Sequence, residues 1–122
     1  MKKNKPFSLK ERNKSFKYAI EGIITFFKGE HNARIHLAAT IAVIGLSIIF
    51  PVSRMEAIAL TFAVGFVWEA EIFNTAIEKM ADFTSKEKDP AIKTIKDLSA
   101  AAVLVSALIA LITGCFIFIP KF

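Results

Sequence analysis

The chain has 122 residues, 54% of them hydrophobic, with a formal net charge of +5. A single cysteine, Cys115 inside an apolar run, excludes a disulfide framework or cysteine metal cluster and reads as packing. The basic balance comes without aromatic–basic interleaving or a recognition motif, so nucleic-acid binding is not expected. Three apolar runs dominate, at 35–50, 57–68 continuing to 83, and 98–119. About 20 residues span a bilayer. The third run reaches that length alone, and the first two reach it if their polar-flanked ends lie in the headgroup layer. The expectation is an all-α membrane protein, with residues 1–122 as one domain.

In chain order, Lys2, Lys3 and Lys5 open a basic start with no small-residue cleavage site, so no signal peptide is expected. Residues 7–28 predict an amphipathic surface helix. Phe16, Ala19, Ile20, Ile23, Ile24 and Phe27 form its apolar face, and Lys10, Arg12, Lys14, Lys17 and Glu21 its charged face. Gly29 reads as a helix stop, followed by a polar segment from Glu30 to Arg34. Transmembrane helices are predicted at about 34–50, 54–83 and 90–119. Pro51 ends the first, and Ser53 with Glu56 is a capping-box pattern opening the second. That second helix would be roughly 45 Å long against a hydrocarbon core of about 30 Å, so its last turns project into the cytoplasmic headgroup layer. Asp89-Pro90 reads as N-cap and first residue of the third.

Orientation follows from charge. Residues 1–36 hold nine of the sixteen Lys/Arg, the connector near 54 holds one, and residues 79–97 hold Lys79, Lys86, Lys88, Lys93 and Lys96. The positive-inside rule then puts the N-terminus and the 79–97 connector in the cytoplasm and the C-terminus outside the plasma membrane.

The most informative stretch is 71–82. At about 100° per residue, Glu71, Asn74, Glu78 and Asp82 share one narrow helical stripe. Carboxylates at a membrane helix end are expensive and mark a functional site by default. Counting back from the short link places Glu78 level with about Ile95, beside Lys96 and Asp97. Asn74 falls level with about Ser99, and Glu71 lies deeper. Glu30 and Arg34 enter at the same boundary. Two carboxylates that can share a hard cation, plus a lysine, suit a nucleoside triphosphate with Mg²⁺. A deeper carboxylate suits a base for a lipid hydroxyl, and phosphoryl transfer needs little more. The residues alone thus read as a lipid-alcohol kinase at the cytoplasmic face. Each signal also has a plainer reading. The stripe could be polar glue between subunits, Lys96-Asp97 a solvated pair, and Arg34 a snorkelling side chain. His36 reads as a satisfied core or interface histidine, His31 as exposed, and Trp68 and Tyr18 as interfacial anchors. A small oligomeric channel or proton pathway is the reading from a different class.

The residues resemble the small prokaryotic diacylglycerol kinase and undecaprenol kinase family. The resemblance is densest in Glu71-Ile72-Phe73-Asn74-Thr75-Ala76-Ile77-Glu78 with Asp82, in Lys96-Asp97 with the alanine-rich 100–104, and in 30–36. It implies an ATP-dependent lipid kinase with a surface helix and three spans, assembled as a homotrimeric bundle with sites between subunits. It implies Glu71 as catalytic base and Glu30 and Glu78 as Mg²⁺ ligands. Asn74, Lys96 and Asp97 would meet the nucleotide, with Tyr18, Glu87 and Lys88 at its edge and Arg34 and Ser99 toward the lipid. Glu69 stands where an apolar residue is expected, and the region of the family's surface-helix arginine holds Glu11 or Arg12, which takes no role. Diacylglycerol is the leading acceptor and undecaprenol the alternative. A trimer also supplies what three helices cannot, a shield between the stripe and lipid.

Overall fold

The structure, a computed structural model, describes residues 6–84 and 89–122. The link residues Ser85, Glu87 and Lys88 and the basic start at Lys2, Lys3 and Lys5 lie outside the described residues. The chain forms α1 (Leu9–Gly29), α2 (His31–Ile49), α3 (Arg54–Thr84) and α4 (Pro90–Phe118), closed by a 3₁₀ turn (Ile119–Lys121).

α1 and α2 are separated by one extended residue, Glu30, at φ −124° and ψ 122°. The break therefore does not use a left-handed glycine at Gly29. The polar stretch 30–34, expected as a connector, is the first turn of α2 apart from Glu30 itself. Ala33 is fully buried there, which fixes that turn against the rest of the chain. Phe16, Ile20, Ile23 and Ile24 of α1 are exposed, so most of its apolar face, apart from Phe27 at its end, has no partner among the described residues, as expected of a helix lying in a lipid interface.

Two helical stretches are long and apolar enough to cross a membrane, His31–Ile49 and Pro90–Lys121. α3, with 31 residues, is longer than a span needs, but its second half carries Glu69, Glu71, Glu78, Lys79 and Asp82. α3 packs most extensively on α4, with α2 touching it over a shorter stretch.

The end of the bundle opposite the polar stripe is closed by apolar packing and one ion pair. Leu60, Ile117 and Phe118 form a buried cluster against Val43, Leu46, Phe50 and Val52. Phe50 meets Phe122 edge-on at 4.8 Å, and Lys121 Nζ lies 3.2 Å from Glu56 Oε1. The capping box is formed in both directions. The Glu56 amide donates to Ser53 Oγ at 3.1 Å, and the Ser53 amide donates to Glu56 Oε1 at 2.8 Å. Ser53→Ala leaves the Glu56 amide uncapped and is expected to destabilise the fold by about 1 kcal/mol. Thermal unfolding in detergent checks this, and an unchanged midpoint would show that the box contributes nothing.

Candidate functional site

α3 turns its polar stripe toward α2 and α4, and the carboxylates become more buried with depth. Glu71 is 3% exposed and Glu78 is half-buried, while Asp82 lies at the surface. The counted register holds. Ser99, level with Asn74, donates its hydroxyl to Asn74 Oδ1 at 2.6 Å, and both side chains are buried. Asn74 Nδ2 donates in turn to Glu78 Oε1 at 3.4 Å. Part of the stripe thus does join helices, but within one chain.

Glu71 has a partner that spacing does not reveal. His36 Nε2 lies 2.9 Å from Glu71 Oε1. His36 is thus a satisfied histidine, and what satisfies it is the deepest carboxylate of the stripe. Trp68, one turn before Glu71, donates its indole N–H to Thr40 Oγ1 at 2.9 Å. Its ring meets Phe26 and Phe27 of α1 at centroid distances of 6.1 and 5.3 Å. Trp68 therefore seats the end of α1 on α3.

The basic residues divide. Lys96 Nζ pairs with Asp82 Oδ1 rather than with Glu78. Asp97, one residue on, points about 100° away along the exposed face and pairs with Lys93 at 2.6 Å. Arg34, Tyr18 and His31 are exposed, and Glu30, the residue between α1 and α2, is half-buried with no side-chain cap bond. Glu87 and Lys88 lie outside the described residues. Sequence reasoning gave His36 no functional role and did not single out Asp82 as the partner of Lys96.

No group of three or more His, Cys, Asp or Glu is gathered for a metal ion among the described residues. A divalent cation arriving with a triphosphate needs only one or two carboxylates. Glu78 fits that need: its only side-chain hydrogen bond among the described residues is the long one from Asn74. Below the stripe, an apolar cavity of about 530 Å³ runs between α2 and α4, from His36 and Trp68 to Phe118 and Phe122.

Glu69 is exposed, away from the buried Glu71, as a separation of two residues on a helix dictates. Glu69→Leu is expected to keep most activity and, if α3 crosses the membrane, where a carboxyl is costly, to leave stability equal or higher. Turnover and oligomer size of the variant check this; loss of activity with intact assembly would place Glu69 in the chemistry.

A buried, hydrogen-bonded carboxylate at the base of a polar ladder, on a helix flanked by two stretches long and apolar enough to cross a membrane, fits a membrane enzyme or a membrane channel. Comparison with known proteins says which. The prokaryotic diacylglycerol kinase family matches residues 17–118, and the chain belongs to that family. It is 36% identical over 108 residues to the undecaprenol kinase of Bacillus subtilis (strain 168), covering 88% of each chain. It is 32% identical over 107 residues to the diacylglycerol kinase of a Synechocystis species, covering 87% of this chain and 61% of that one. To the diacylglycerol kinase of Pseudomonas aeruginosa it is 28% identical over 96 residues, covering 79% and 78%. The protein is a membrane-associated lipid kinase.

Proposed function

We propose that the chain transfers the γ-phosphoryl group of ATP to a membrane lipid alcohol at the cytoplasmic face of the plasma membrane, with α3 as a third span. The burial of Glu71 carries this reading. A carboxylate at that depth is positioned for a hydroxyl at headgroup level rather than for the solvated nucleotide. Glu71 takes the hydroxyl proton as the lipid oxygen bonds to the γ-phosphorus and the bond to the β-phosphate oxygen breaks, releasing ADP. Glu30 and Glu78 are the residues that would hold Mg²⁺, which supplies charge neutralisation on the phosphates. Asn74, Lys96 and Asp97 serve the nucleotide, with Tyr18, Glu87 and Lys88 bordering it. Arg34 and Ser99 lie toward the lipid. A homotrimer would cover the faces of the stripe that one chain leaves open.

For the acceptor we propose undecaprenol, which reverses the order read from the sequence. The support is the 36% identity to an undecaprenol kinase over 88% of both chains. Diacylglycerol is the second reading, favoured by the diacylglycerol kinases at 32% and 28% identity. Competition in mixed micelles at equal mole fraction decides between them: undecaprenyl phosphate is expected to dominate, and a predominance of phosphatidic acid would overturn the assignment.

Orientation is tested by single cysteines at Ser53 and Ser85 in a Cys115→Ser background. Only Ser85→Cys should react from the cytoplasmic side. Labelling of Ser53→Cys alone from that side would invert the site.

A further inference from the structure

The hydrogen bond between His36 and Glu71 is used by no step above, yet it is the contact closest to the proposed chemistry. The two side chains are 19% and 4% exposed, and Nε2 stands 2.9 Å from Oε1. A carboxylate this buried on an apolar helix is costly without a partner. Among the described residues His36 is the only side chain that bonds it. Glu71 Oε2 has no hydrogen-bond partner among the described residues, yet no fully buried side-chain oxygen there lacks one, so Oε2 is not sealed in. One oxygen is held and the other keeps some accessible surface.

The imidazole lies beside Trp68, and Thr40 ties that indole to the backbone, not the ring, of His36. Thr40 donates its hydroxyl to the His36 carbonyl at 2.7 Å and accepts the Trp68 indole N–H at 2.9 Å. The Trp68 ring lies beside the imidazole, with centroids 6.5 Å apart. Trp68 is covered by Phe26 and Phe27. A continuous set of contacts thus runs from the surface helix to the one oxygen of Glu71 that is tied down. His36 also lines the apolar cavity at its Trp68 end, so it stands between the lipid-like space and the carboxylate.

We propose that His36 is a positioning residue for phosphoryl transfer: its Nε2–H holds Oε1 of Glu71 so that Oε2 is presented to the acceptor hydroxyl. The proposal rests on the reading of Glu71 as the base. With the proton on Nε2, His36 donates to the ionised carboxylate, and the hydroxyl proton arrives on Oε2 without any change at the imidazole. His36 acts through Glu71 alone and touches neither nucleotide nor metal.

The test compares His36→Ala, His36→Asn and His36→Gln. The glutamine amide nitrogen reaches the position of Nε2, whereas that of asparagine stops near Nδ1, so the two polar variants differ mainly in whether Oε1 is still met. Alanine and asparagine are expected to lower kcat by about 10- to 100-fold, as loss of alignment at a reacting group does, with ATP affinity within twofold of wild type. Glutamine should recover most of the rate. In a Glu71→Gln background, His36→Ala should add no further loss to the residual rate. Wild-type kcat in His36→Ala, equal losses in the glutamine and asparagine variants, or the same factor lost in the Glu71→Gln background would each overturn the proposal. Normal turnover in Glu71→Gln alone would instead remove the base reading, and is seen independently of any His36 variant.

Discussion

Glu71→Gln is expected to lower lipid phosphorylation by about 10²- to 10⁴-fold, the usual contribution of a positioned general base, while ATP binds nearly as well as before. The glutamine keeps size and hydrogen-bonding capacity, so Oε1 can still meet His36 and packing around the 3%-exposed site is preserved. What is lost is the ability to accept a proton. A group that acts mainly in the transition state lowers kcat and kcat/KM together and leaves ground-state binding alone. Steady-state turnover and calorimetric ATP affinity on the same preparation separate the two. Near-normal turnover would remove Glu71 from the chemistry; a parallel collapse of ATP affinity would move it to the nucleotide site.

Glu78→Gln is expected to reduce activity by about two orders of magnitude or more, because removing an anionic ligand undercuts charge neutralisation on the transferring phosphates. Glu78 is half-buried, and its only side-chain bond among the described residues is the one from Asn74 at 3.4 Å. The fold should therefore tolerate the change, and the oligomer should assemble as before. Mg²⁺ titration is the diagnostic: the residual rate should need much more metal for saturation. A variant with wild-type Mg²⁺ dependence would take Glu78 out of the metal site. Glu30→Gln should behave in the same way, since Glu30 is the half-buried residue between α1 and α2 and makes no cap bond that its loss would break.

What was legible in the sequence was whatever local rules control. The capping box at Ser53 and Glu56 and the N-cap at Asp89 formed as their spacing requires. A short link forces α3 and α4 antiparallel, and counting from its midpoint placed Asn74 opposite Ser99, where a hydrogen bond joins them. The contacts around Glu71 depend on something else. His36 lies 35 residues from Glu71, on a helix apolar on nearly every side, so no stripe in its sequence says which way it faces. Lys96 shows a second limit of counting along the axis. Its long side chain extends beyond its own level to Asp82, leaving Glu78 to the side. The docking of Phe26 and Phe27 on Trp68 depends on the direction set by a single extended residue, Glu30, within a stretch whose polar composition read as a connector.

In the proposed reaction, phosphate reaches a lipid with the help of a buried carboxylate. The most direct measurement gives purified wild-type chain and Glu71→Gln γ-labelled ATP, Mg²⁺ and a lipid alcohol, undecaprenol or diacylglycerol in turn, and follows the label into the organic phase. The wild-type chain is predicted to place label in lipid phosphate, dependent on Mg²⁺, and Glu71→Gln to place almost none while still binding ATP. Label released only as inorganic phosphate, or lipid phosphate formed equally by the two proteins, would contradict it.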